Sequence, residues 1–208
     1  MGGGYIICEW ADVQREYPEF QATFAALENK MIQKCNMDWS PKTFGYMAPR
    51  SDQYGRTTIL PELFDGFDTN RMSHWRQTIT SVGHQTIVSG TQTGNTIQED
   101  MKVAWLGLAL PNKQQHLTEI KWQIGDRKFG RINIEEVNCY KTPAIIFEDG
   151  YIIDGETSFE LYGYLTGPVP AIAWPPETDA IYQSFVMLGA SYYRVIDKVL
   201  GSTGAAIT

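Results

Sequence analysis

The chain has 208 residues, of which 43% are hydrophobic and 12% aromatic, and its formal net charge at pH 7 is −7. This length and composition are typical of one globular domain with a sizeable core and argue against a disordered chain. The negative charge, with Lys and Arg scattered singly or in pairs, disfavours direct nucleic-acid binding, because phosphate contacts require clustered cations.

Residues 1–17 are predicted to form an N-terminal arm. The arm starts with Gly2, Gly3 and Gly4, which are too flexible to order the backbone by themselves. Residues 5–10 either form a short strand or lie extended on a neighbouring surface, and the sequence leaves both open. The stretch has no basic segment and no long apolar run, so no signal peptide is predicted.

Residues 18–37 predict one N-terminal amphipathic helix. Phe20, Phe24, Leu27, Met31 and Cys35 recur at spacings of three and four, which places them on one face. The opposite face carries mixed rather than basic polar residues. We therefore expect the helix to pack on a sheet of its own chain rather than on a membrane or a partner.

Residues 36–76 predict a long loop with many turn residues and many aromatic side chains. One or two short strands are expected in it, for example over residues 57–60. A loop this rich in aromatic residues packs either over the core or against another subunit. The predicted subunit-interface residues come from this loop and the arm, and they are Tyr5, Trp10, Trp39, Phe44, Tyr46, Tyr54, Phe64 and Phe67.

Residues 77–110 predict three strands. Thr and Val favour two strands within residues 77–98, separated by Gly-containing turns. Residues 101–110, MKVAWLGLAL, form a more apolar run. A strand buried on both faces, in the middle of a sandwich, accounts for this run.

Residues 117–165 alternate apolar and polar side chains with a period of two, which is typical of half-buried antiparallel strands. Two runs around Gly125–Lys128 predict a hairpin, and residues 144–147 and 157–165 predict two further strands. Asp149–Gly150 and Asp154–Gly155 are predicted turns. The series indicates a β-sandwich or barrel.

Residues 181–200 allow two interpretations. Ile181, Phe185, Leu188 and Tyr192 fit a helical stripe, whereas the β-branched and aromatic content, with Gly189 in the middle, favours a strand. We expect the strand. Residues 18–200 are then one β-sandwich domain that includes the N-terminal helix and the aromatic loop, and residues 201–208 are a flexible tail.

Four acidic residues make the best enzyme-like feature of the sequence: Glu148, Asp149, Asp154 and Glu156. A carboxylate pair about 5 Å apart can hydrolyse a glycoside, and clustered carboxylates can bind calcium. However, Asp-Gly pairs are ordinary soluble turns, and the spacing of an EF-hand is absent. The histidines form no metal-binding motif, so no catalytic residue, metal or cofactor is predicted.

The strands ending in SFELYGYL and SFVMLGASYYRV, within a layout that spans residues 77–195, resemble jelly-roll coat proteins of icosahedral DNA viruses. The resemblance implies a jelly-roll capsid protein that is not an enzyme and assembles as many identical copies into a virion. Such a protein would assemble in the host cytoplasm and contact other virion proteins or an internal membrane. The alternatives are a ligand- or carbohydrate-binding β-sandwich and a carboxylate-dependent glycan hydrolase.

Overall fold

The computed structural model describes residues 4–16, 18–39, 54–60, 75–79, 81–88, 97–111, 116–166 and 181–194. These residues are mainly β. They also include two α-helices near the N-terminus, one short and one long, and a short 3₁₀ helix. In chain order the elements are β1 (Tyr5–Glu9), α1 (Trp10–Glu16), α2 (Pro18–Asp38), β2 (Tyr54–Thr57), β3 (Trp75–Ile79), β4 (Gly83–Val88), β5 (Met101–Ala109), β6 (Glu119–Ile124), β7 (Arg127–Lys128), β8 (Ile132–Asn133), a 3₁₀ helix (Glu135–Cys139), β9 (Pro143–Ile153), β10 (Phe159–Leu165) and β11 (Ile181–Arg194).

The strands form two sheets, and every described strand pair is antiparallel. The larger sheet has the order β1-β9-β5-β11-β2, and β3 pairs with the N-terminal part of β11. The smaller sheet has the order β4-β10-β6-β7, and β8 also pairs with β6. The predicted mainly β, antiparallel fold is confirmed at this level.

The main core fills the space between the two sheets and is rich in aromatic rings. Trp105 of β5 packs edge-on against Trp122, Phe147 and Phe159, with ring centroids 4.7–5.7 Å apart. All four side chains are buried. Edge-to-face contacts of this kind add about 0.5–1.5 kcal/mol per pair to the burial of apolar area. Because β5 is buried on both faces, with Trp105 in this core and Ala104 and Leu106 in a second apolar cluster, its run of apolar residues has no alternation.

A second apolar layer lies between α2 and the larger sheet. Leu27, Met31 and Cys35 recur every four residues and are fully buried against β5, β9 and β11. Ala104 of β5 is one of the small residues below the helix, and it lets the backbones approach closely. The structure therefore has three layers in these residues: helix, larger sheet and smaller sheet.

The N-terminal residues are more ordered than a free arm. Residues 5–9 pair with β9, and the helix α1 follows directly at Trp10.

In the loop that follows α2, the strand lies at Tyr54–Thr57, three residues earlier than the predicted residues 57–60. The rest of the predicted aromatic loop lies mostly outside the described residues.

The turn predicted at Asp149–Gly150 is wrong, because both residues lie within β9. Between the pairs Trp105↔Tyr151 and Gly107↔Ile146, β9 contains four residues, 147–150, whereas β5 contains only residue 106. Gly150 has φ +66° and a Cβ there would collide with Leu27 of α2. The Asp-Gly pair therefore makes a bulge that gives α2 room, and it does not reverse the chain.

Other parts of residues 117–165 follow the predicted pattern more closely. The hairpin turns at Gly125 and Asp126. Its second strand, expected around Ile132, is divided into β7 and β8, which both pair with β6 before the 3₁₀ helix. Phe159, Leu161 and Leu165, on one face of β10, are buried. Residues 181–194 form a strand, and residues 195–200 lie outside the description.

Within the described ranges, no helix is both long enough and apolar enough to span a membrane.

Candidate functional site

The four predicted acidic residues lie in two places. Glu148 and Asp149 belong to the β9 bulge, and the backbone N–H of Glu148 donates to the carbonyl of Gly4. Asp154 and Glu156 share the turn that follows β9, in which the N–H of Thr157 donates to the carbonyl of Asp154 and Glu156 has φ +59°. Among the residues that the structure describes, no three acidic, His or Cys side chains form a group that could hold a metal.

Asp154 is part of an ion network at the end of α2. Lys102 Nζ lies 3.1 Å from Asp154 and 2.8 Å from Asp38, and Lys34 Nζ contacts the same two carboxylates at 3.3 and 3.4 Å. The hydrogen bond from Lys102 and the charges of both lysines hold the pKa of Asp38 below its ordinary value. Lys34 and Asp38 belong to α2, Lys102 belongs to β5, and Asp154 follows β9. The network therefore anchors the helix to the larger sheet.

The predicted interface aromatics are partly used inside the protein. Trp10 packs edge-on against Phe20 at 5.8 Å, Tyr54 packs on Tyr192 at 5.9 Å, and Lys102 lies 5.3 Å from the ring centre of Trp39. Tyr5 is 38% exposed. The other four predicted interface residues, Phe44, Tyr46, Phe64 and Phe67, lie outside the described residues.

The first candidate site is the β1 edge, which we define as the side of Tyr5–Glu9 that faces away from β9. Ile6 is 48% exposed there, a large fraction for an apolar strand residue. The charged residue of β1, Glu9, accepts hydrogen bonds from the backbone N–H groups of Lys141 at 2.7 Å and Thr142 at 2.8 Å. The Thr142 hydroxyl also donates to it, and together these donors lower the pKa of Glu9. β1 therefore combines exposed apolar side chains at Tyr5 and Ile6 with one carboxylate, Glu9, at its end beside Thr142.

A cavity of about 370 Å³ lies beside this edge. Its apolar lining comes from β1, β9 and both helices and includes Ile6, Val13, Phe20 and Ile146. This volume lies within the range of roughly 300–1,000 Å³ that is usual for small-molecule sites. The cavity thus extends the exposed apolar surface of the β1 edge towards the helical layer.

The second candidate site is the tyrosine face, which lies on the outer side of the smaller sheet. We define it by His84 of β4, Tyr162 and Tyr164 of β10, Lys121 of β6 and Arg131. These strands bring the side chains together through the register Tyr164↔His84 and Tyr162↔Lys121. The His84 ring lies 4.7 Å from Tyr162 and 5.3 Å from Tyr164. This cluster could not be predicted from the sequence, because its members come from different strands.

Charged groups surround the tyrosine face. The Arg131 guanidinium lies 3.7 Å from the ring centre of Tyr164 and forms a 3.2 Å ion pair with Glu119. The Tyr162 hydroxyl donates to the buried carboxylate of Glu160. Burial, followed by this hydrogen bond, raises the pKa of Tyr162 to about 12. The face therefore offers aromatic rings next to fixed hydrogen-bonding and charged groups.

Comparison with protein-family models, with curated proteins and with solved structures found no significant match to this chain. The class that the described residues define is a two-sheet antiparallel β protein with a helical layer on its larger sheet.

Proposed function

We propose that this chain is a structural subunit of the jelly-roll type that assembles with identical copies into the shell of a virus particle. The main support is the strand order. The strand β1 and the additional strands β3 and β8, which pair with β11 and β6, stand outside the pattern. Of the remaining eight strands in chain order, β2 pairs with β11, β4 with β10, β5 with β9 and β6 with β7. This nesting of antiparallel pairs across two sheets is the arrangement expected of a jelly roll.

A jelly roll by itself does not determine function, since the same architecture occurs in capsid proteins, lectins and cupins. The β1 edge favours the structural role, because it presents exposed apolar side chains on a strand that another chain can reach. The net charge of −7 argues against direct contact with a genome. The proposed partners are identical subunits, together with other virion proteins or an internal membrane, in a virion assembled in the host cytoplasm.

Electron microscopy of the chain expressed alone, without other virion components, tests this proposal. We expect regular shells or lattices built from many copies of the 23.5 kDa chain. A field of single, dispersed molecules under all conditions of salt and pH in which the chain stays folded would contradict it.

The second candidate function is a ligand- or carbohydrate-binding module, and the tyrosine face favours it. Aromatic rings stack on the apolar faces of sugars, while Arg131, Lys121 and His84 supply donors for sugar hydroxyl groups. A glycan array tests this function with the wild-type chain and Tyr164→Ala. Tyr193→Ala is the matched control, since Tyr193 is 42% exposed but belongs to the larger sheet.

Selective loss of a bound glycan in Tyr164→Ala, with binding retained in Tyr193→Ala, would support the binding module. Absence of binding by the wild-type chain would exclude it for the glycans on the array. The third function, a carboxylate-dependent glycan hydrolase, needs two converging acidic side chains, and the network around Asp154 gives it no support.

A further inference from the structure

The hydrogen bonds of β1 determine which of its backbone groups point outward. The N–H of Glu148 donates to the carbonyl of Gly4, and the N–H of Trp10 donates to the carbonyl of Thr142, both at 2.8 Å. In an antiparallel pair, hydrogen-bonded and non-hydrogen-bonded residues alternate. Residues 4, 6, 8 and 10 therefore bond to the β9 side, and the backbone N–H and C=O groups of residues 5, 7 and 9 point away from it. The carbonyl of Glu9 accepts the first hydrogen bond of α1, which begins at Trp10. Outside the helix and the ladder with β9, no described backbone group bonds to the other outward groups.

The β1 edge also lacks the devices that usually prevent strands from pairing. Natural edge strands are protected by Lys, Pro, bulges or inward-pointing charges. The sequence of β1 is YIICE, and its pairing with β9 is regular from end to end. The carboxylate of Glu9 is turned towards the backbone of Lys141 and Thr142 and does not guard the edge. A regular edge with exposed apolar side chains, and with its one carboxylate bonded to its own chain, is a template for another strand.

We propose that β1 pairs with β1 of a second copy of this chain, antiparallel and about a two-fold axis at Ile7, so that the two larger sheets become continuous. This inference rests on the proposed self-association. The outward residues 5, 7 and 9 are symmetric about residue 7, so the edge is complementary to itself. Ile7 then faces Ile7 of the partner subunit, and Tyr5 faces Glu9 of the partner subunit. About four backbone hydrogen bonds form across the axis, two between the Ile7 residues and one from the N–H of each Glu9 to the carbonyl of Tyr5 of the partner subunit.

Charge and shape favour this antiparallel register over a parallel one. A parallel, in-register pair would place Glu9 beside Glu9 of the partner subunit, whereas the antiparallel pair separates the two carboxylates by about 14 Å along the strand. The register also places Gly4 of the partner subunit opposite Trp10, where α1 begins. Because Gly4 has no side chain, the start of the helix is not obstructed. The exposed Ile6 and the apolar cavity beside it lie next to the new contact.

A disulfide can report this register directly. Ile6 faces Cys8 of the partner subunit in a non-hydrogen-bonded pair, where Cα atoms are about 4.5 Å apart, a separation that a disulfide can bridge. We therefore expect Ile6→Cys, in a Cys139→Ser background that removes an exposed thiol, to form a covalent dimer. Burial raises the pKa of Cys8 to about 11, so oxidation with copper–phenanthroline under air is used to drive the reaction.

Non-reducing electrophoresis and mass spectrometry identify the product. The expected result is a dimer containing a peptide linked between residues 6 and 8, with loss of that dimer when Cys8→Ser is added. Val82→Cys in the same background is the control, since Val82 is 55% exposed in the β3–β4 connection and is not expected to give a single specific link. Absence of the 6–8 link from Ile6→Cys would overturn the proposed register.

A proline at an outward position tests the edge without a covalent bond. Tyr5→Pro removes one outward donor and leaves the hydrogen bonds between β1 and β9 intact. We expect it to weaken self-association and to shift the chain to smaller species, with little change in circular dichroism or thermal midpoint. If shells form, Tyr5→Pro assembles as readily as the wild type and no 6–8 link appears, the edge pairing is wrong while the shell function stands. Linked dimers without shells would overturn the shell function alone.

Discussion

Lys102 Nζ lies 2.8 Å from a carboxylate oxygen of Asp38 and thereby joins the second residue of β5 to the last residue of α2. The Lys102 side chain is 8% exposed, whereas Asp38 and Asp154 remain about two-fifths exposed. The ammonium group has therefore lost most of its hydration, and the carboxylates have not. This difference in hydration determines how much free energy of unfolding is lost when the lysine or the carboxylates are replaced.

We expect the double substitution Asp38→Asn and Asp154→Asn to destabilise the fold by about 2–3 kcal/mol, because it leaves a buried ammonium without a counter-ion. Lys102→Met should cost less than about 1 kcal/mol, since the methionine fills the same space and the half-exposed carboxylates can rehydrate. Urea unfolding of the three proteins measures both values. A larger loss for Lys102→Met than for the double variant would refute the network as described.

The same network predicts that the free energy of unfolding depends on pH in the acidic range. The hydrogen bond from Lys102, with the charges of Lys102 and Lys34, lowers the pKa of Asp38 from its ordinary value of 3.8. A carboxyl group with a lower pKa in the folded state stabilises the fold above pH 3.8, and this contribution is lost as pH falls through the folded-state pKa. Urea unfolding between about pH 5 and pH 2 should show a steeper loss for the wild type than for Asp38→Asn. Equal slopes would contradict the assignment.

The docking of α2 gives a third prediction. Leu27 is fully buried between the helix and the bulge at Gly150, so Leu27→Ala should cost about 2–4 kcal/mol through lost burial and a cavity. Met37→Ala is the control on the same helix, because the Met37 side chain is exposed, and it should change stability by less than about 0.5 kcal/mol. Similar unfolding free energies for the two variants would mean that α2 does not pack on the larger sheet.

The pairing of β5 with β11 gives a fourth prediction. Gly189 has φ +142° at an irregularity in the register, and a Cβ there would collide with the backbone carbonyl of Ala104. Gly189→Ala should therefore cost more than about 3 kcal/mol or prevent folding. Gly130→Ala is the matched control, since a Cβ at that position meets no described atom within 4 Å. A well-folded Gly189→Ala protein with wild-type stability would show that this register is wrong.

The period-two pattern of residues 117–165 was sufficient to predict antiparallel strands, because one face of each strand must be buried. The same pattern could not distinguish the bulge at Asp149–Gly150 from a turn, since both need a glycine with positive φ. The difference depends on Leu27, which is more than 120 residues away in the sequence. Local residue preferences contain no information about such a contact.

The candidate sites were harder to predict than the strands. In the sequence, Lys102 is a single charged residue in an apolar run. Only the fold brings Asp38 and Asp154 to it. Likewise, the contacts of His84 with Tyr162 and Tyr164 depend on the pairing of β4 with β10, which are separated by about 75 residues. Tyr5 was predicted as an interface residue because it is aromatic, whereas the outward direction of its backbone follows from the ladder with β9.

Light scattering coupled to size-exclusion chromatography measures self-assembly of the folded chain most directly. Over a wide range of protein concentration, we predict that the wild-type chain elutes as particles whose mass is a large multiple of 23.5 kDa, with Tyr5→Pro shifted to smaller species. A folded wild-type chain that elutes as a single 23.5 kDa species at every concentration would contradict the proposed function.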